Sequence, residues 1–137
     1  MSRFYLDTSI WIDFYEDRKG YNGEPIGDFA LNLFSIIKAK NYRLIITDLL
    51  INELGSIYSS VEIEKILDSF KEVTEKIEIK ESQISEAKEI SKKRNLPAGD
   101  VLHAIIARDN SLLLITRDRH FKDLLDIAKH YKPEEII

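Results

Sequence analysis

The chain has 137 residues, of which 44% are hydrophobic and 32% are charged, and its formal net charge is −4. These values are typical of a folded globular protein, and they argue against a disordered chain and against a protein whose whole surface coats nucleic acid. The sequence contains no cysteine, which excludes a thiolate zinc site, a cysteine nucleophile and a disulfide framework. We expect one domain spanning residues 1–137.

The sequence also bears on location. No apolar run approaches the roughly 20 residues that a membrane-spanning helix needs. The first residues pass directly into an apolar segment at Phe4 without the apolar core of a signal peptide. We therefore expect a cytoplasmic protein that has no membrane partner.

Five segments predict β-strands. Continuous apolar runs at residues 4–6, 44–46 and 112–115 are typical of parallel strands that are covered on both faces. Residues 76–80 alternate between polar and apolar side chains, as an edge strand does, and a weak apolar pair at residues 136–137 predicts a last strand.

Helical periodicity fills the intervals between these strands. A short helix is expected after Asp7, and further helices are expected after Pro25, around Leu50, over residues 61–73 and 84–90, from Val101 to Ile106, and from Phe121 to Ala128. This alternation of strands and helices predicts an α/β fold with three layers, α/β/α, around a mainly parallel sheet.

Acidic residues follow the predicted buried strands. Asp7 comes directly after the first strand, Asp118 follows the strand at 112–115, and Thr47-Asp48 follows the second strand and opens the helix that carries Glu53. Ligands of parallel α/β sheets bind at the carboxyl ends of the strands. Aspartate is also a favoured helix N-cap, so each of these aspartates, like Asp100 at the start of a later helix, could instead only satisfy backbone amides.

Capping does not explain Glu53. Leu49, Leu50 and Ile57 occupy the neighbouring helical positions, so the carboxylate lies on or beside an apolar face. A buried carboxylate without a partner costs several kcal/mol. No lysine or arginine stands three or four residues away, and a metal ion is therefore the natural partner.

The type of acid predicts the type of ion. Clustered carboxylates without cysteine favour Mg²⁺ or Mn²⁺, which bind phosphate oxygens and lower the pKa of a bound water. The charges of four carboxylates would be balanced by two divalent ions. The positive field that attracts phosphate would then come from the ions and from Arg117, Arg119 and His120 nearby.

Four segments resemble the motifs of the PIN domain family. They are Leu6-Asp7-Thr8-Ser9, residues 47–54 around Glu53, residues 99–107 beginning Gly99-Asp100, and residues 114–121 around Thr116-Arg117-Asp118. In size the chain is similar to the VapC-type toxins of toxin–antitoxin pairs. The resemblance implies that Asp7, Glu53, Asp100 and Asp118 form the catalytic metal site, and Thr8, Ser9 and Thr116 stand where their hydroxyls could orient carboxylates or water.

The resemblance further implies a Mg²⁺- or Mn²⁺-dependent ribonuclease acting on RNA, commonly a homodimer that a small antitoxin protein holds inactive. It also implies a five-stranded sheet of order 3-2-1-4-5, which agrees with the edge positions expected for residues 77–79 and 136–137.

Three other functions share parts of this pattern. A haloacid-dehalogenase-type phosphatase also begins with an aspartate at a first strand end, but it needs a second one two residues later, where this chain has Ser9. A catalytically weak PIN-like module that binds RNA or protein would be favoured by the loss of an acid, and all four are present. A housekeeping RNA-processing nuclease would carry the same residues. Outside the site, His103 is expected as a packed or hydrogen-bonded helix residue and Asp13 as a solvated one.

Overall fold

The computed structural model describes residues 2–136 and contains one five-stranded sheet. The strand order is β3-β2-β1-β4-β5, and all four neighbouring pairs are parallel. Both the order and the parallel arrangement confirm the prediction. The strands are β1 (Arg3–Leu6), β2 (Arg43–Ile46), β3 (Thr74–Lys76), β4 (Leu113–Ile115) and β5 (His130–Tyr131).

Helices cover both faces of this sheet. They are α1 (Thr8–Glu16), α2 (Ile26–Ala39), α3 (Asp48–Gly55), α4 (Ser60–Asp68), α5 (Glu81–Arg94), α6 (Ala98–Asn110) and α7 (Pro133–Ile136), with a 3-10 helix at Arg119–Leu124. No helix within residues 2–136 is both long enough and apolar enough to cross a bilayer.

Alternating side chains of the strands build two cores. Tyr5, Ile45 and Leu114 pack with the buried face of α6 and with Ala87 of α5. Phe4 and Leu44 point the other way and pack with buried residues of α1, α2, α3 and α4. Since the sheet is covered on both faces, its central strands have no polar face, which is why they appear in the sequence as continuous apolar runs. The predicted three-layer architecture is confirmed.

The two edge strands differ from their predicted positions. β3 is Thr74–Lys76 and not residues 76–80, although Ile77 and Ile79 still pack against the core on the α6 side. The last strand is His130–Tyr131, whereas Ile136 belongs to α7 and Ile137 lies outside the described residues. Pro133 suits the first position of a helix, so Ile136 belongs to a helical turn rather than to a strand.

Two predicted helices are shorter than expected. α4 ends at Asp68, because the chain turns so that the Val73 carbonyl accepts from the Leu44 amide, next to where β3 begins. The segment expected to be helical up to Ala128 is a 3-10 helix that ends at Leu124, and Leu125 is 55% exposed. Its apolar spacing therefore does not mark one continuous buried face.

The carboxyl ends of β1 and β4 lie side by side. Leu6 pairs with Ile115 in the register of these strands, and the amide of Asp7 donates to the Ile115 carbonyl at 3.0 Å. The residues that follow, Asp7 on one strand and Thr116 on the other, therefore meet at the same edge of the sheet.

Candidate active site

One cavity at this sheet edge contains all four predicted acids. Its volume is about 240 Å³, and its lining includes the side chains of Asp7, Glu53, Asp100 and Asp118. The acids come from four different places in the fold: the ends of β1 and β4, the last turn of α3 and the first turn of α6. We call this the acid cavity.

Asp7 is held by hydroxyl groups on both of its oxygens. It is the N-cap of α1, where Oδ1 accepts from the Ser9 amide at 3.1 Å and from Ser9 Oγ at 2.6 Å. The Thr116 hydroxyl donates to Oδ2, and the same Thr116 oxygen accepts from the Asp118 amide at 3.0 Å. Asp7 therefore both caps α1 and lines the acid cavity, and its exposed fraction is only 4%.

Asp100 and Asp118 converge on His120. The Nδ1 atom of His120 lies 3.0 Å from Asp100 Oδ2 and 3.0 Å from Asp118 Oδ1. Asp118 also accepts from the His120 amide at 2.9 Å, as the cap of the 3-10 helix. One ligand atom from each of these three residues lies within 4.8 Å of the other two, which is the spacing of a cation site.

Glu53 has protein partners in addition to the metal ion that the sequence predicts for it. Thr8 Oγ1 donates to Glu53 Oε1 at 2.6 Å, and His103 Nε2 lies 2.6 Å from the same oxygen. The other ring nitrogen of His103 lies 2.7 Å from Tyr5 Oη, which in turn lies 2.8 Å from Thr47 Oγ1. Helical spacing could not reveal these partners, because they come from β1, α1 and α6.

A sequence-family comparison matches the PIN domain over residues 4–125 of this chain. The chain belongs to the PIN domain family. Members of this family are generally nucleases, and the four motifs that carry the acids all fall within the matched residues.

Solved structures share the fold. VapBC2 from Rickettsia felis, bound to a DNA fragment from its promoter, aligns with a TM-score of 0.65 at 19% identity, over 93% of this chain and 98% of the other. A toxin–antitoxin complex from Klebsiella pneumoniae gives 0.64 at 21% identity, over 95% and 97%. PAE2754 from Pyrobaculum aerophilum gives 0.63 at 16%, over 98% and 86%. A comparison with curated proteins found no match.

The acids of this PIN domain repel one another electrostatically. Burial, together with the negative charges of Asp118 and Asp7, raises the pKa of Asp100 to about 6, although His120 counteracts part of the increase. Burial also raises the pKa of Asp7, against the hydrogen bonds from Ser9 and Thr116, and the charge of Asp118 adds to the increase. A cation bound among these carboxylates would remove this repulsion.

Glu53 behaves in the opposite way. Burial acts to raise its pKa, but the hydrogen bond and charge of His103, together with the hydrogen bond from Thr8, outweigh burial and lower the pKa on balance. The PIN fold therefore holds Glu53 as an ionised carboxylate in a fixed orientation.

Three site residues were missed or undervalued from sequence. His103 stands three residues after Asp100, which places both on one helix face, and this spacing was the available signal. His120 was predicted only as a source of positive charge. Gly99 adjoins Glu53, since a Cβ at this position would lie 2.9 Å from Glu53 Oε2.

The prediction for Asp13 was wrong. This residue is buried rather than solvated, with an arginine 3.7 Å from each of its oxygens: Arg18 at Oδ1 and Arg117 at Oδ2. Burial raises its pKa, the two arginines counteract only part of that increase, and the resulting pKa is about 6.

Proposed function

We propose that this PIN domain, a single unit over residues 1–137, is a Mg²⁺- or Mn²⁺-dependent endoribonuclease that hydrolyses RNA phosphodiester bonds. We further propose that it is the toxin of a type II toxin–antitoxin pair. The observation that carries the enzymatic part is the convergence of Asp7, Glu53, Asp100 and Asp118 on one cavity. A module that only bound RNA or protein would have no need for mutually repelling carboxylates at the end of a sheet.

The residues present fit a hard divalent cation. Asp100 and Asp118 would hold it, with His120 adjacent, since their ligand atoms already lie within 4.8 Å of one another. Asp7 and Glu53 line the same cavity and complete the four-acid set, with room for one or two ions. When bound, such an ion supplies Lewis acidity toward a phosphate oxygen and toward the attacking water.

The protein's own groups position these acids. Ser9 donates both its amide and its hydroxyl to Asp7 Oδ1, whereas Oδ2 accepts only from the Thr116 hydroxyl, which leaves a lone pair of Oδ2 for the cavity. Thr8 and His103 both contact Glu53 Oε1, so Glu53 Oε2 is the oxygen that is available to the site. Such supporting hydrogen bonds orient metal ligands and change the metal affinity when they are removed.

The toxin proposal is supported by the similarity of the fold to solved toxin–antitoxin structures. One structure with this fold is a toxin–antitoxin complex from Klebsiella pneumoniae, and it covers nearly the whole of this chain. By analogy we propose a small antitoxin protein as the partner, a homodimer as the assembly and the cytoplasm as the location. A housekeeping RNA-processing nuclease is the second candidate, because it would carry the same acid cavity.

Single-turnover cleavage of a mixed single-stranded RNA tests the enzymatic proposal. We expect cleavage with Mg²⁺ or Mn²⁺, none in EDTA, and none with Asp7→Asn, which retains the shape and an acceptor oxygen. Asp28→Asn, which changes an exposed aspartate on α2, is the matched control and should cleave like the wild type. Cleavage by wild-type protein in EDTA, or by Asp7→Asn at the wild-type rate, would rule out the proposed site.

The neighbouring gene separates the two nuclease candidates. A short adjacent reading frame whose product binds this protein and abolishes its cleavage of RNA would support the toxin. An isolated gene whose product matures one cellular RNA would support the housekeeping nuclease.

A further inference from the structure

A second, smaller cavity adjoins the acid cavity. Its volume is about 120 Å³, and Arg119, Lys122, His130 and Lys132 line it together with Arg117 and Asp118. We call the first four of these residues the basic pocket. Asp118 lines both cavities, so the basic pocket begins where the acid cavity ends.

Positive charge in this pocket is not balanced by ion pairs. Within residues 2–136, Arg119, Lys122 and Lys132 form no salt bridge, whereas the adjacent Arg117 is bound to Glu134. The neighbouring Glu135 does not pair with these side chains, because its carboxylate accepts from the Lys132 backbone amide at 2.7 Å. Exposed lysines without partners are common on protein surfaces, but three cations around one small concavity form a site that attracts an anion.

His130 adds a polar atom that lacks a partner. Its Nδ1 is one of the few buried side-chain nitrogens in the described part of the chain that have no hydrogen-bond partner. Burial lowers the pKa of His130, so the ring is neutral at pH 7 and can donate or accept one hydrogen bond at this nitrogen. A buried polar atom of this kind is stabilised by a ligand that hydrogen-bonds to it.

The size and the chemistry of the pocket select the ligand. A volume of about 120 Å³ is enough for one tetrahedral anion, and the cationic lining favours an anion over a neutral group. Lysines bind phosphate as point charges and need no fixed geometry for it. The adjacent acid cavity repels phosphate unless it holds cations. Positive charge beside this cavity would attract a nucleic-acid strand and position it near the acids.

We propose that the basic pocket binds a phosphate group of the nucleic-acid substrate, close to the phosphodiester bond that is cut at the acid cavity. This inference rests on the proposed nuclease function and adds a binding subsite to it. The phosphate belongs either to the backbone or to the 5′ end of the strand.

The test is the double variant Lys122→Ala/Lys132→Ala. The control, Lys65→Ala/Lys88→Ala, removes the same charge from exposed positions on α4 and α5. Binding of fluorescein-labelled single-stranded RNA is measured in EDTA at several salt concentrations. We expect several-fold weaker binding by the first variant and a shallower dependence of log Kd on log salt, by about 0.7 for each lost phosphate contact. In cleavage assays KM should rise while kcat stays close to the wild-type value.

Two RNAs identify the source of the phosphate. Equal weakening with 5′-hydroxyl and 5′-phosphate oligomers indicates a backbone phosphate, and weakening confined to the 5′-phosphorylated oligomer indicates a terminal one. Both results support the pocket. If the pocket variant binds both oligomers as tightly as the Lys65/Lys88 control does, the proposal is overturned, and a pocket that serves an acidic protein partner would give that result.

A third measurement does not depend on nuclease activity. Inorganic phosphate is titrated into ¹⁵N-labelled protein while the ring resonances of His130 are followed by NMR. The subsite predicts saturable shifts in the wild type that are lost in Lys122→Ala/Lys132→Ala. If the wild type cleaves RNA but His130 does not respond, the subsite fails and the nuclease stands. If His130 responds but no RNA is cleaved, the proposed function fails and the anion pocket stands.

Discussion

His103 joins the acid Glu53 to the start of α3 through the interior of the protein. Its Nε2 lies 2.6 Å from Glu53 Oε1, and its Nδ1 lies 2.7 Å from Tyr5 Oη. Tyr5 is 2.8 Å from Thr47 Oγ1, which already accepts from the Leu50 amide as the N-cap of α3. Thr47, Tyr5 and His103 thus form a continuous chain of hydrogen bonds, at the end of which Nε2–H of His103 donates to the Glu53 carboxylate.

This chain of hydrogen bonds leads to a prediction for His103. Replacing it by Ala leaves Glu53 with Thr8 alone and frees the carboxylate to rotate. We expect Mn²⁺ affinity, measured by calorimetry, to fall by roughly 10–100-fold, as it does when the supporting partner of a metal ligand is removed. His103→Gln, which can still donate to Glu53, should recover part of that affinity.

Tyr5→Phe is the matched control for the same chain, because it removes one hydroxyl and leaves the contact between His103 and Glu53. Its effect on Mn²⁺ affinity should be smaller than that of His103→Ala. If His103→Ala binds Mn²⁺ as tightly as the wild type while it remains folded by circular dichroism, His103 has no positioning role.

The burial of Asp100 and its repulsion by the neighbouring acids predict a dependence of stability on pH in EDTA. The pKa of Asp100 is about 6 in the folded protein, above its ordinary value of 3.8. The unfolded chain therefore loses this proton first, and the stability that the group contributes below pH 3.8 is lost as the pH rises through 6. In Asp100→Asn this loss is absent.

The measurement is the free energy of unfolding in urea at pH 4 and pH 7. The wild type should lose more stability between the two than Asp100→Asn does, so the variant becomes relatively more stable at pH 7. Mn²⁺ should reverse the ranking, because it stabilises the form that binds it. A variant that is less stable than the wild type in EDTA at pH 7 would contradict the raised pKa of Asp100 in the folded protein.

The sequence predicts the strands and the site acids correctly where a pattern of a few neighbouring residues determines the structure. The central strands and the acids after β1 and β4 could be predicted, because burial on both faces and the geometry of parallel strands leave a signal within a few residues. β5 has only two residues, His130 and Tyr131, and they are not both apolar, so no run marked it. The partners of Glu53 were also invisible, since Thr8 and His103 lie 45 and 50 residues away in the chain.

Substitution of Gly99 should affect metal binding and activity without lowering the stability of the fold. It lies in the first turn of α6, where alanine is favoured over glycine by up to about 1 kcal/mol. A Cβ at this position would nevertheless lie 2.9 Å from Glu53 Oε2, and Thr8 and His103 restrain Glu53 through its other oxygen. We expect Gly99→Ala to be as stable as the wild type or slightly more stable, and to bind Mn²⁺ and cleave RNA more weakly.

Thermal unfolding in EDTA and Mn²⁺ calorimetry test this pair of effects together. Gly55→Ala serves as the control, because a Cβ there would meet no atom closer than 3.9 Å. Wild-type metal affinity in Gly99→Ala would show that Glu53 Oε2 is not a ligand.

Arg117 connects the motif after β4 to the end of the chain. Its guanidinium binds both oxygens of Glu134 in α7, at 2.9 Å and 2.5 Å, and its side chain is 17% exposed. Lysine keeps the charge but cannot form two parallel hydrogen bonds to one carboxylate. We expect Arg117→Lys to lower the free energy of unfolding by about 1–3 kcal/mol, because a partly buried charged hydrogen bond is lost.

Arg119→Lys is the control, because Arg119 is exposed and forms no salt bridge among residues 2–136. Its free energy of unfolding should stay within about 0.5 kcal/mol of the wild-type value. Equal stability of the two variants in urea would mean that the fold does not depend on the ion pair between Arg117 and Glu134 of α7.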